Sequence, residues 1–225
     1  MATPFKPALI IVDFQEDFCP PNGSLAVPQG RTIASPINTL LALPFALKIA
    51  TRDWHPRDHV SFAANHPGCK PFTSTTRIVH PSDSSKSFPA PLWPVHCVRD
   101  TKGAELVPEL DARRIDHVID KGVDAGVEMY SAFYDPFHGS DSGLTERLKR
   151  DGVTDVFVVG LAADFCVKAT AEHAIEQGFR SYIVEEATKP VMPEQWDECR
   201  REIMNKGVKM ISMDGQEIAR VKALV

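Results

Sequence analysis

The chain has 225 residues, 43% of them hydrophobic and 24% charged, with a formal net charge of −5. That apolar fraction excludes wholesale disorder, and the acidic balance argues against a nucleic-acid binder, which needs a basic face. No stretch reaches the ~20 apolar residues of a membrane-spanning helix.

The length suits one domain over residues 1–225. The first residues, MATPFKPALIIVDF, show no basic segment leading into a long apolar run, and the final KALV matches no retention or peroxisomal signal. A cytoplasmic location is therefore expected, with the nucleus also open to it.

Residues 8–14, ALIIVDF, form a continuous apolar run, as in a strand buried on both faces. Residues 33–43 carry Ile33, Ile37, Leu40 and Leu41 at helical spacing, with Pro36 suited to the first turn. Residues 46–51 read as a second strand. From about 65 to 95 the chain is rich in Pro and Ser and has little periodicity. A loop-rich insertion is expected there, returning through LWPVHC to pack on the body and roof a site, with 82–87 the part most suited to solvent. A third strand is expected at 117–120, then a short helix at 143–151 ending before Gly152. A fourth strand at 156–160 leads to a helix at 165–177, with Val167, Ala171, Ala174 and Ile175 on one face and Gly178 as its cap. A fifth strand at 181–184, a proline-started helix at 193–205 and a sixth strand at 208–212 complete the pattern. Strands alternating with helices predict a three-layer α/β/α fold around a mainly parallel six-stranded sheet.

Five cysteines, Cys19, Cys69, Cys97, Cys166 and Cys199, are an odd number, and none are in CxxC spacing. A disulfide framework or thiolate zinc site is a poor reading. The ordinary role of each is a small buried hydrophobe.

Open parallel sheets bind ligands beyond the carboxyl ends of their strands. Asp13 closes the first strand, Asp53 and His55 follow the second, Lys121 closes the third, and Cys166 opens the helix after the fourth. Singly, each has a bland account: a turn aspartate, a solvated lysine, a packed cysteine. Together they deliver a thiol, a base and a cation to one edge. A helix N-terminus should lower the pKa of Cys166, and the turn's N–H groups can form an oxyanion hole. Cys97 is the main competitor, because it adjoins His96.

Asp53-Trp54-His55 is a D-x-H, and residues i and i+2 of an extended segment point the same way. His96, at the end of LWPVHC, is the candidate third ligand. Asp plus two His suits zinc, iron or manganese. His59, His66, His80, His117, His138 and His173 read as surface or loop residues.

The segments VDFQEDF (12–18), TRDWHP (51–56), HVSFAANH (59–66), LWPVHC (92–97), DKG (120–122), YSAF (130–133) and VVGLAADFCVKATA (158–171) jointly resemble the nicotinamidases of the isochorismatase-like hydrolases, the fungal type above all. The resemblance implies Cys166 as nucleophile, Asp13 as general base and Lys121 as the third member of a triad. It implies Asp53, His55 and His96 around one divalent ion, usually Zn2+, with Fe2+ or Mn2+ as alternatives. It implies an oxyanion hole from the N–H groups of Ala162 and Cys166, with a cis peptide at Leu161–Ala162. Phe18, Trp93, Tyr130 and Leu161 would line the pyridine pocket, with core packing as the competing account, and Ser61 is a candidate for the metal's surroundings. The implied activity is metal-dependent hydrolysis of nicotinamide, an amide bond outside any ring, through a Cys166 thioester in NAD salvage. Pyrazinamide is a further candidate substrate. The implied partner is the small amide, not nucleic acid or membrane, and assembly of identical chains stays open.

Two other classes compete. Asp53, His55 and His96 could form the facial triad of a non-haem iron oxygenase, but such sites favour β-rich barrels, and that reading leaves Cys166, Lys121 and Asp13 idle. A non-catalytic binding module would have no use for an intact triad.

Overall fold

The computed structural model describes residues 4–224. The expectations drawn from Met1–Thr3 and from Val225 lie outside the described residues. Six strands form one sheet: β1 (Pro7–Val12), β2 (Leu47–Asp53), β5 (His117–Lys121), β6 (Asp155–Leu161), β7 (Arg180–Lys189) and β8 (Lys209–Ile211). Their order is β5-β2-β1-β6-β7-β8, and every pair is parallel.

β1 is central, and all six of its residues are buried. The period of two divides its side chains between two cores. Leu9 and Ile11 join Phe157 and Val159 under α1 (Ala34–Leu41) and α5 (Gln216–Lys222), through Ile37, Leu40, Leu41, Ile218 and Val221. Ala8, Ile10 and Val12 join Val156 and Val158 on the other face. That face is covered by α2 (Leu144–Arg150), α3 (Lys168–Glu176) and α4 (Trp196–Asn205), through Leu148, Ala171, Ala174 and Ile203. Each large aliphatic side chain buried this way contributes about 1.5–3 kcal/mol. The expected three layers are thus the two faces of one apolar run. Among the described residues no helix is long and apolar enough to cross a membrane.

The chain adds β2 and β5 on one side of β1, then crosses to add β6, β7 and β8 on the other. The switch between β1 and β6 opens a crevice at their carboxyl ends.

Three local expectations change. The 65–95 insertion is not structureless: β3 (Thr75–His80) and β4 (Asp83–Pro91) form an antiparallel hairpin. Thr75, Thr76, Ile78 and Val79 were its β-branched signal, while the polar partner strand concealed it. The hairpin rests on Phe137 through His80 and Phe88. Its return packs on the body as expected: Trp93 N–H donates to Ser61 O, and Ala63 N–H to Trp93 O. The helix expected from residue 165 starts later, because Ala163–Val167 is a π turn ahead of α3. The cis bond implied at Leu161–Ala162 is absent. A non-proline cis bond costs about 3 kcal/mol, and the chain reverses instead with Ala162 in the left-handed region, φ 57°.

Candidate active site

Asp13 is the first residue past β1 and adopts φ 48°. It is fully buried. Its Oδ1 accepts the Thr51 hydroxyl at 2.6 Å. Its Oδ2 lies 2.9 Å from Lys121 Nζ, but at an angle too poor for a proper hydrogen bond. One oxygen of this carboxylate is therefore spent and the other faces Lys121 without a well-aligned bond. Burial raises its pKa, with Lys121 opposing.

Lys121 ends β5, where the register pairs it with Asp53 of β2. Its ammonium lies 2.5 Å from Asp53 Oδ1 and 3.5 Å from Cys166 Sγ, and donates to Met129 O at 3.1 Å. Burial works against that charge, but Asp13 and Asp53 outweigh it, so its pKa sits well above the ordinary lysine value. The cation is permanent.

Cys166 lies on the π turn and is 4% exposed. Its pKa is well above the usual thiol range: burial dominates and Lys121 only partly offsets it. This overturns the expectation of a thiol acidified by a helix end. The dipole is worth a fraction of what full desolvation costs a thiolate. The resting group is a neutral thiol beside a carboxylate of raised pKa, which suits proton transfer between them.

The other cysteines lack this setting. Burial pushes Cys19 up to about 12 and Cys199 up to about 11. Cys97 is fully buried, its Sγ faces Gly103 O at 3.9 Å, and burial pushes its thiol well above the usual range. All five are free thiols.

Asp53, His55 and His96 converge as expected, all 4% exposed or less. Asp53 Oδ2 lies 3.5 Å from His55 Nε2 and 3.9 Å from His96 Nε2. His55 Nδ1–H donates to Gly122 O at 2.7 Å, and His96 Nδ1–H to Pro94 O at 2.8 Å. Those bonds orient both rings so that each Nε2 faces the same carboxylate oxygen and can serve as a metal ligand once unprotonated. The three donor atoms lie within 4.8 Å of one another. The set fits a divalent ion that takes mixed nitrogen and oxygen ligands. Gly122 is required here. Its φ is +62°, and a Cβ would stand 2.4 Å from His55 Cε1.

Several residues escaped the sequence reading. His59 is not a surface residue: it is fully buried and stacks on His55 with centroids 4.0 Å apart. Burial, helped by His55, lowers its pKa to about 2. Its Nδ1 accepts the Ser61 hydroxyl at 2.8 Å, so Ser61 is engaged with His59 and not with the ligand set. Glu128 is buried, and its carboxyl is pushed up to about 7, by burial above all. Its signal was a lone acid inside the apolar run VEMY. Gln15 is a buried clamp. Its amide donates to Asp53 O and Ala104 O at 2.8 Å and accepts Asp53 N–H at 2.8 Å.

The thiol opens into one cleft together with Asp53 and His96 of the ligand set. Of the residues expected around the ring, Phe18, Trp93 and Tyr130 line it, and Ala162, Leu25, Phe165 and Val191 join them. Trp93 Nε1–H donates to the Tyr130 hydroxyl at 3.2 Å, and Trp93 meets Phe165 edge-on at 4.9 Å. Leu161 does not line the cleft. It is fully buried in the core beneath it, because its side chain follows the alternation of β6 inward.

An aromatic slot whose wall carries a thiol, backed by a buried carboxylate and lysine, beside Asp53 and His96 suits a flat ring that carries an acyl group. Comparison with known proteins agrees. The Isochorismatase domain family matches residues 7–215. The chain is 39% identical to the nicotinamidase of Schizosaccharomyces pombe over 92% of this chain and 94% of that protein. The structure of the yeast nicotinamidase bound to the inhibitor nicotinaldehyde superposes with TM-score 0.87 at 34% identity, over 92% of this chain and 99% of that one. The pyrazinamidase of Pyrococcus horikoshii in complex with zinc superposes with TM-score 0.71 at 32% identity, over 92% and 99%.

Proposed function

From a chain that belongs to the isochorismatase-like hydrolases, in their nicotinamidase branch, and is an amidohydrolase acting on a carboxamide, we infer hydrolysis of nicotinamide to nicotinate and ammonia. The observation that carries this reading is the shared cleft, in which Cys166 and two members of the ligand set, Asp53 and His96, line the same aromatic slot, with His55 behind them.

In this reading the pyridine ring lies between Phe18, Trp93 and Tyr130, and its carboxamide carbon rests over Cys166 Sγ. Asp13 takes the thiol proton as sulfur attacks, so no thiolate need exist beforehand. Lys121 holds its charge against both partners through the transfer. The N–H groups of Ala162 and Cys166 receive the oxyanion. Such donors are worth about 2.7–4 kcal/mol each. Collapse of the tetrahedral intermediate breaks the C–N bond, and Asp13 returns its proton to the departing ammonia. Asp13 next deprotonates a water, which attacks the thioester, and collapse of that adduct releases nicotinate with the proton back on sulfur. A divalent ion held by Asp53, His55 and His96, zinc by preference, would supply a Lewis-acid anchor for the ring nitrogen and for ordered water. The relation to a pyrazinamidase extends the reading to pyrazinamide.

The test is ammonia release across small aromatic and aliphatic amides, with and without chelator, alongside oxygen uptake. Nicotinamide should be turned over, Cys166→Ala should release no ammonia at unchanged fold and metal content, and no oxygen should be consumed. A fully active Cys166→Ala variant would overturn the mechanism.

A further inference from the structure

One wall of the cleft comes from a segment that takes no part in the chemistry. The pairing of β7 with β6 passes from Val158↔Ile183 to Gly160↔Thr188, so β7 bulges and then runs on to Lys189 beside Leu161. The Thr188 hydroxyl donates to Gly160 O at 2.8 Å and closes the bulge. The chain therefore leaves the sheet level with the turn that carries the nucleophile. After Pro190, the half-buried Val191 faces the cleft.

Asp164 fixes Val191 there. It sits on the π turn, two positions before Cys166. Its Oδ1 accepts Val191 N–H at 2.9 Å, and its Oδ2 accepts Met192 N–H at 2.8 Å. Both oxygens of one carboxylate are spent on two successive N–H groups of one loop. Bonds to an ionised acceptor are the strong ones. Burial pushes the Asp164 carboxyl up, and these two donors hold it down. A simple turn cap would bond within its own turn, whereas this residue bonds across to a different strand end.

The remaining walls are stiff. Trp93, Phe165 and Tyr130 brace one another, and Phe18 lies on His96 with centroids 5.4 Å apart. Val191 packs at the edge of the core, and its backbone is tied to the nucleophile turn by one side chain, Asp164. We propose that Asp164 is a positioning residue that latches Val191 to the nucleophile turn, and that Val191 sets the width of the ring the cleft admits. The substrate class is then unsubstituted six-membered aromatic carboxamides. This rests on reading the cleft as an aryl-amide site.

The experiment compares wild type, Val191→Ala, Asp164→Ala and Asp164→Asn on nicotinamide and its ring-methylated derivatives, reading kcat and KM separately, with Cys166 alkylation as a control. Val191→Ala should raise the relative kcat/KM of at least one methylated amide about tenfold, the scale of a methyl group in a fitted pocket. Asp164→Ala should relax the same discrimination and raise KM for nicotinamide about tenfold, with kcat and alkylation rate little changed. Asp164→Asn keeps one acceptor oxygen and should restore part of both. Unchanged discrimination in Val191→Ala overturns the proposal, even if Asp164→Ala fails to fold. So does an Asp164→Ala variant that loses kcat alone. An inactive wild type overturns the functional reading and this proposal together, whereas an active wild type with unmoved selectivity overturns this proposal alone.

Discussion

The two ends of the sheet each hold a buried carboxylate against a cation, to opposite effect. At the amino end, Asp155 accepts Arg180 Nε at 2.7 Å and Nη2 at 2.5 Å, the Thr154 hydroxyl at 2.5 Å and the Tyr182 hydroxyl at 3.2 Å. Every lone pair is used, and the group ties β6 to β7. At the carboxyl end, Asp13 shares one lysine with Asp53 and a thiol, and its Oδ2 has no well-aligned donor. A planar guanidinium satisfies a carboxylate completely. A single ammonium divided between two carboxylates leaves one of them able to move a proton. On the proposed mechanism, the difference between a staple and a base is how much of the carboxylate is left over.

The sharpest way to break that contrast is to neutralise each acid. Asp13→Asn keeps the shape and should cut ammonia release ~10⁴-fold, on the scale of triad losses, with little change in Tm. Asp155→Ala should do the reverse. Activity at low temperature should persist while stability falls by about 2 kcal/mol, less than for a fully buried pair, because Arg180 is 39% exposed and can return to water. If Asp155→Ala loses activity without losing stability, the contrast fails.

A smaller effect is expected from His96→Ala, which removes one of three donor atoms. Metal content measured by elemental analysis should drop, and apparent KM should rise. An unchanged stoichiometry would remove His96 from the ligand set.

The smallest effect concerns Glu128 in chelator-treated protein. Its folded pKa of about 7 lies above its ordinary value of 4.5. Between those pH values the unfolded chain releases a proton that the folded chain keeps, so this group lowers stability as pH rises from about 4.5 to about 7. Below that window it costs nothing, and above it the loss is constant. Glu128→Gln should flatten that part of the Tm–pH curve; a curve of unchanged slope would show that Glu128 ionises normally.

Much of the site was legible because strand ends are legible. ALIIVDF announces a buried strand and hence Asp13 at its end, and the same logic gives Asp53, His55 and Lys121. Glu128, His59 and Gln15 were not legible. They lie in segments without periodicity, and their roles come from residues distant in the chain: Val127 O against His59 Nε2, Asp53 and Ala104 around Gln15. The hairpin of β3 and β4 was missed for a related reason, since a strand of Ser and Lys finds its identity only in its partner.

By itself the sequence determined the alternation of strands and helices and the edge at which Asp13, Asp53, His55, Lys121 and Cys166 collect. These follow from side-chain periodicity and from the rule that parallel strands present their carboxyl ends together. The tertiary structure decided the sign of the pKa shift at Cys166, the neutrality of His59, the exclusion of Leu161 from the cleft and the hold of Asp164 on Val191. Each of those depends on what closes over a group and removes its water, which no local stretch of chain can specify.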